Sequence, residues 1–172
     1  KTILCFKKNN AMTKIILGLD PGIADTGYGL IAANGNNLKC LEFGSIKTSS
    51  KDDFLCRLEK LDSCLQKIIN KYKPDLVSVE KLFFNTNAKT AFVVGQARGV
   101  LLLNIKKNNL KLIEFTPLQI KQGVTNFGRA EKKQVQIMVK LILNLKEVPK
   151  PDDAADALAA AICASNLKIW KS

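Results

Sequence analysis

Four acidic side chains stand out by type and placement: Asp20, Glu80, Asp153 and Asp156. Asp20 closes the apolar run Leu17-Gly18-Leu19, and Glu80 closes a second one, Leu76-Val77-Ser78-Val79. Asp153 and Asp156 are three apart in an alanine-rich stretch, a spacing that puts both on one face of a helix. Carboxylates held about 4 Å apart repel by about 4 kcal/mol at an effective dielectric of about 20, so such a cluster is hard to keep ionised without cations. Two divalent ions answer that need. Magnesium prefers oxygen ligands and keeps its waters, and a pair about 3.5–4 Å apart activates an attacking water and stabilises the leaving oxygen of a phosphodiester. The chain has no histidine, which excludes His-based acid–base chemistry and most zinc sites and leaves carboxylates as the metal ligands. Singly, each acid also has an ordinary reading: Asp-Pro-Gly is a common turn, Glu after a strand is often solvated, and acids at a helix start complement the dipole.

The elements that must position these acids follow from periodicity. Lys14 to Leu19, Gly27 to Ala33 and Leu38 to Ile46 read as three antiparallel strands, separated by Asp20-Pro21-Gly22 and Asn34-Gly35. Phe54, Leu55, Leu58, Leu61, Leu65, Ile68 and Ile69 recur at helical spacing, with Asp52 or Asp53 as cap and Pro74 as stop. Leu76 to Val79 is a short buried strand, and a helix from Asn85 or Thr86 to about Lys107 leads to a fifth strand, Lys111 to Phe115. Pro117 begins a short helix, Val135, Met138, Val139 and Ile142 mark another, and the last runs from Pro151-Asp152 to about Asn166. This order implies a mixed sheet with helices on its faces, in which a helical crossover sets strands one and four side by side in parallel. Asp20 then lies beside Glu80, at the strand ends where ligand sites commonly form.

A chain of 172 residues, 47% hydrophobic, buries one substantial core, so we read a single domain over 14–166. Residues 1–13 precede the first patterned element and are taken as an extension or cloning remnant, with Met12 a candidate natural start; 167–172 form a C-terminal tail. Lys and Arg number 27 against 15 Asp and Glu, a net charge of +12 that favours a polyanionic partner, with nucleic acid first. Charge by itself is also explained by a Lys- and Asn-rich coding bias, visible at Asn34-Gly35-Asn36-Asn37. Five scattered cysteines argue against a disulfide framework and for a reducing cytoplasm. No segment approaches the roughly 20 apolar residues of a membrane span, so no membrane partner is expected.

Five motifs in this order, Leu17-Gly18-Leu19-Asp20-Pro21-Gly22 with Thr26-Gly27-Tyr28-Gly29, Val79-Glu80-Lys81-Leu82-Phe83-Phe84, Gly95-Gln96-Ala97-Arg98-Gly99, Ala130-Glu131-Lys132 and Asp153-Ala154-Ala155-Asp156-Ala157-Leu158-Ala159, resemble RuvC-type Holliday junction resolvases over residues 14 to 166. The resemblance implies an α/β ribonuclease-H-like fold: a five-stranded mixed sheet, order 3-2-1-4-5, flanked by helices. It implies a homodimeric, structure-specific DNA endonuclease that nicks four-way junctions in recombination and repair, alongside the branch-migration proteins RuvA and RuvB. It also implies a site holding two Mg2+ ions, with Mn2+ able to substitute, on Asp20, Glu80, Asp153 and Asp156. Asp152 is the adjacent competitor, and the Asp-Ala-Ala-Asp register favours Asp153.

DNA contacts are expected from four further residues. By resemblance, Phe83 stacks on an unpaired base at the crossover and Lys121 and Lys132 meet phosphates, while Arg129 sits with Gly128 in a loop between the two lysines. The competing accounts place both Phe83 and Phe84 in the core and leave Lys132 at a solvated helix end. Gly95 and Gly99 suit close approach of a second subunit, or equally packing against the protein's own sheet. Rival functions are a junction-binding protein with structural acids, an actin-like ATPase, for which the chain lacks a duplicated domain, and a plain ribonuclease H.

Overall fold

A computed structural model of the chain describes residues 13–81 and 88–167. One sheet holds β1 (Lys14–Asp20), β2 (Asp25–Asn34), β3 (Asn37–Lys47), β4 (Leu76–Glu80) and β5 (Lys111–Phe115) in the order β3-β2-β1-β4-β5. β1 pairs antiparallel with β2 and parallel with β4, and β4 pairs parallel with β5. The fold expected from the sequence is the fold observed.

Strand alternation sorts the core into two layers. Leu17, Leu19, Leu30, Val77 and Val79 face α1 (Phe54–Tyr72) and α2 (Ala88–Lys107), meeting Leu61, Leu65, Leu101 and Ile105. Ile16, Ile31 and Leu76 face the other way, onto α3 (Pro117–Thr125), α4 (Lys132–Ile142) and α5 (Asp152–Ser165). Side chains on a strand alternate between faces, so Asp20 follows Ile16 and Gly18, and Glu80 follows Leu76 and Ser78, onto the α5 side.

Small residues let α5 rest on the strands through its backbone. A Cβ added at Gly18 would lie 1.9 Å from the Ala157 carbonyl oxygen, and one at Gly27 1.9 Å from that of Asp153. The Ser78 hydroxyl, also on this face, donates to the Ala160 carbonyl at 2.9 Å. The alanines of α5 are fully or nearly fully buried, and Leu158, the large side chain that meets β2, fits over Gly29.

Local signals fix the helix ends. Asp53, one of the two expected caps, accepts from the Leu55 N–H, and Lys73 closes α1 in the left-handed conformation just before Pro74. Thr116 and Gln119 form a reciprocal capping box at α3. The expected start of α2 at Asn85 or Thr86 lies outside the described residues, as do Phe83 and Phe84, residues 1–12 and residues 168–172. Among the described residues no helix is long and apolar enough to cross a membrane.

Candidate active site

Asp20 and Glu80 end adjacent parallel strands, with Leu19 and Val79 in register, and both belong to the sheet face that α5 covers. At that same end Gly27, the register partner of Asp20, lies directly under the Asp153 backbone. The first turns of α5 therefore carry Asp153 and Asp156 to the place where Asp20 and Glu80 emerge. This convergence follows from glycines and alanines: any larger residue beneath α5 would hold its N-terminus away from the strand ends.

The electrostatics record that proximity. Asp20 is pushed up to about 8, first by burial and then by repulsion from Glu80, Asp156 and Asp153, with Lys132 opposing. Glu80 rises to about 7 through burial and Asp156, against the pull of Lys132 and Lys121. Burial also raises Asp156, partly countered by a hydrogen bond from Lys132. Asp153 is raised by burial and by Asp25. These groups are crowded with like charge in a partly dehydrated place, which is the situation that favours binding a cation.

The Lys132 ammonium is set among these acids, 3.1 Å from Asp156 Oδ2 and 3.4 Å from Asp152 Oδ2. Lys132 thus stands neither as an isolated solvated lysine nor away from the acids: it bridges α4 to two carboxylates of α5. Lys121, on α3, is close enough to Glu80 to favour its ionised form. Arg129 is exposed in the turn joining α3 to α4.

As placed, no three acid or cysteine side chains among the described residues close on one point tightly enough to enclose an ion. The donor chemistry nevertheless fits a divalent cation: the cluster offers carboxylate oxygens only, and burial first, then neighbouring acids, raise Asp20 and Glu80 well above the usual carboxylate range.

The sequence reading missed Asp25. This residue opens β2 two positions before Gly27, on the α5 side; its Oδ1 is buried without a hydrogen-bond partner, and its charge bears on Asp153. An acid after Pro-Gly reads as part of a turn, and only the strand alternation shared with Gly27 reveals which way it faces. The two glycines of α2 also resolve differently from one of their expected uses. A Cβ at Gly95 or Gly99 would meet nothing within 4 Å, so neither is needed for packing on the protein's own sheet.

Comparison with known proteins identifies the family. Residues 16–164 match the family model described as crossover junction endodeoxyribonuclease RuvC. The chain is 56% identical over 152 residues to the crossover junction endodeoxyribonuclease RuvC of Halothermothrix orenii, covering 88% of this chain and 92% of that protein. It superposes on Thermus thermophilus RuvC in complex with a Holliday junction substrate with a TM-score of 0.83, at 32% identity, covering 87% of this chain and 92% of that one. The yeast mitochondrial Holliday junction resolvase Ydc2 shares the fold, with a TM-score of 0.61 at 15% identity over 87% of this chain and 78% of that one. With nearly all of its described length matched, and the acids standing at the strand and helix ends described above, the chain belongs to the RuvC family of crossover junction endodeoxyribonucleases.

Proposed function

We propose that this protein resolves four-way DNA junctions, making paired symmetric nicks by divalent-metal-dependent phosphodiester hydrolysis during recombination and repair. The observation that carries this reading is the meeting of Asp20, Glu80, Asp153 and Asp156 from three separate segments at one end of the sheet, in a chain of this family.

Asp20, Glu80, Asp153 and Asp156 would hold two Mg2+ ions, or Mn2+ in their place. When bound, such ions supply an activated water and neutralise charge that develops on the phosphodiester. The chain's own residues do the rest. Partial burial beneath α5 limits the access of bulk water to Asp20 and Glu80 and strengthens their attraction for cations. Lys121 beside Glu80 and Lys132 beside Asp156 place ammonium groups at the rim, where they hold the phosphates flanking the cut. Arg129 extends this basic rim along the turn, and Phe83 stacks on a base at the crossover.

Two like nicks need two sites related by a two-fold axis, which a C2 homodimer provides. The outward face of α2 suits that contact. Phe92 and Leu103 are 70% and 54% exposed, and between them Gly95 and Gly99 leave the helix backbone open to a second copy. Cooperation with RuvA and RuvB in the cytoplasm completes the reading.

The test is incubation of purified protein with a synthetic four-way junction and a matched duplex, with and without magnesium. Paired nicks only in the junction with metal are expected; metal-independent cleavage, or equal cutting of an RNA–DNA hybrid, would refute the assignment. Asp20→Asn should bring nicking below detection while junction binding persists.

A further inference from the structure

The turn between α3 and α4 holds an aromatic ring in water. Phe127 is 57% exposed and Leu118, at the second position of α3, is 61% exposed. The Gly128 backbone lies against the Leu118 side chain, where an added Cβ would come within 3.2 Å of its Cγ, so Leu118 borders the turn that carries the ring and extends its apolar patch. A mobile loop would let such a ring tuck inward, but this turn is tied down. The Phe127 N–H donates to the Thr125 hydroxyl at 3.1 Å, and the Ala130 N–H donates to the Phe127 carbonyl at 3.1 Å. The Gln122 side-chain amide adds a bond to the Asn126 carbonyl at 2.9 Å. The ring is therefore presented outward by a fixed backbone, at the cost of leaving apolar surface wet.

The position of the patch identifies its occupant. Phe115, three residues before Leu118, pairs in register with Glu80, so the patch lies at the same end of the sheet as the acids. It is framed by cations: Lys121 one turn along α3, Arg129 two residues after Phe127, and Lys132 at the start of α4. An apolar ring within a basic rim suits a polyanion with aromatic bases, and suits a protein core or a lipid poorly. We infer that Phe127, supported by Leu118, is a second stacking platform that receives an unstacked base of the junction strand and so positions that strand over the acids. Phe127 is thus a positioning residue. The inference rests on the junction-resolving function proposed above and adds a residue to it.

The experiment measures affinity for a four-way junction in metal-free buffer by fluorescence anisotropy, together with the emission of 2-aminopurine placed in turn at positions around the crossover. Phe127→Ala should weaken binding by roughly 5- to 100-fold, the loss that removal of one stacked base produces. It should also restore emission at one position that the wild type quenches. Phe127→Trp should return both to wild-type values, and Leu118→Ser should shift them in the direction of Phe127→Ala. Leu141→Ala, which removes a leucine 63% exposed on α4, serves as the control for loss of any surface leucine and should change neither. Unaltered affinity and emission in Phe127→Ala, an equal loss in Leu141→Ala, or a change of oligomeric state accompanying the loss would each overturn the inference. A wild-type protein that neither binds nor nicks junctions would instead strike at the proposed function itself; one that does both while Phe127→Ala behaves identically would strike at the platform alone.

Discussion

Asp20 is the acid whose chemistry is most altered by its place, and its protonation makes folding stability depend on pH. In the unfolded chain it titrates near 4, while in the folded metal-free protein it titrates near 8, with Glu80 near 7. Between those values the folded state holds more protons than the unfolded state, so stability falls as pH rises. The penalty is absent below about pH 4 and complete above about pH 8. Metal-free protein should therefore lose melting temperature by several degrees between pH 5 and pH 8, with magnesium restoring more at pH 8 than at pH 5. Asp20→Asn, which deletes the charge, should raise the metal-free melting temperature at pH 8 and flatten its pH dependence. Calorimetry in chelator at the two pH values checks this, and an Asn variant no more stable at pH 8 would mean that the folded cluster carries no such strain.

Among the elements, α5 is the one on which the site depends. Its Asp-Ala-Ala-Asp register and its run of alanines are plain in the sequence, because a helix of small residues with acids in its first turns must bury against something flat. The strand ends at Asp20 and Glu80 were equally legible, since apolar runs that stop at an acid mark the edge of a buried sheet. What could not be read was the pairing across elements. That Lys132 reaches Asp152 and Asp156, and that Asp25 faces Asp153, depend on how α4 and β2 lie against α5, which no local spacing encodes. The contact between α5 and the sheet gives a sharp expectation. Gly18→Val places atoms within the Ala157 carbonyl and should cost at least about 3 kcal/mol, lowering the melting temperature by roughly 6–12 °C, whereas Gly35→Asn in the open β2–β3 turn should be nearly neutral. Thermal unfolding of the two variants side by side measures the difference, and equal stability would show that α5 does not rest on the strands.

For the whole molecule, the two faces of the sheet divide the labour. The α5 side presents acids at one end with a basic rim, and the opposite side ends in α2, whose outer surface carries two large apolar residues and two open glycines. Phe92→Glu combined with Leu103→Glu should weaken self-association at least tenfold, seen by sedimentation, with the helical circular dichroism signal intact. The monomer is expected to nick one strand at a time and so to leave junctions incompletely resolved; a fully active monomer would remove the need for paired sites.

The seating of α5 on glycines through main-chain atoms has a further result. A helix propped on side chains can be raised or tilted by exchanging a leucine for a methionine, but one that touches its strands directly has no shim to adjust. The distance separating the carboxylates is thereby withheld from gradual variation.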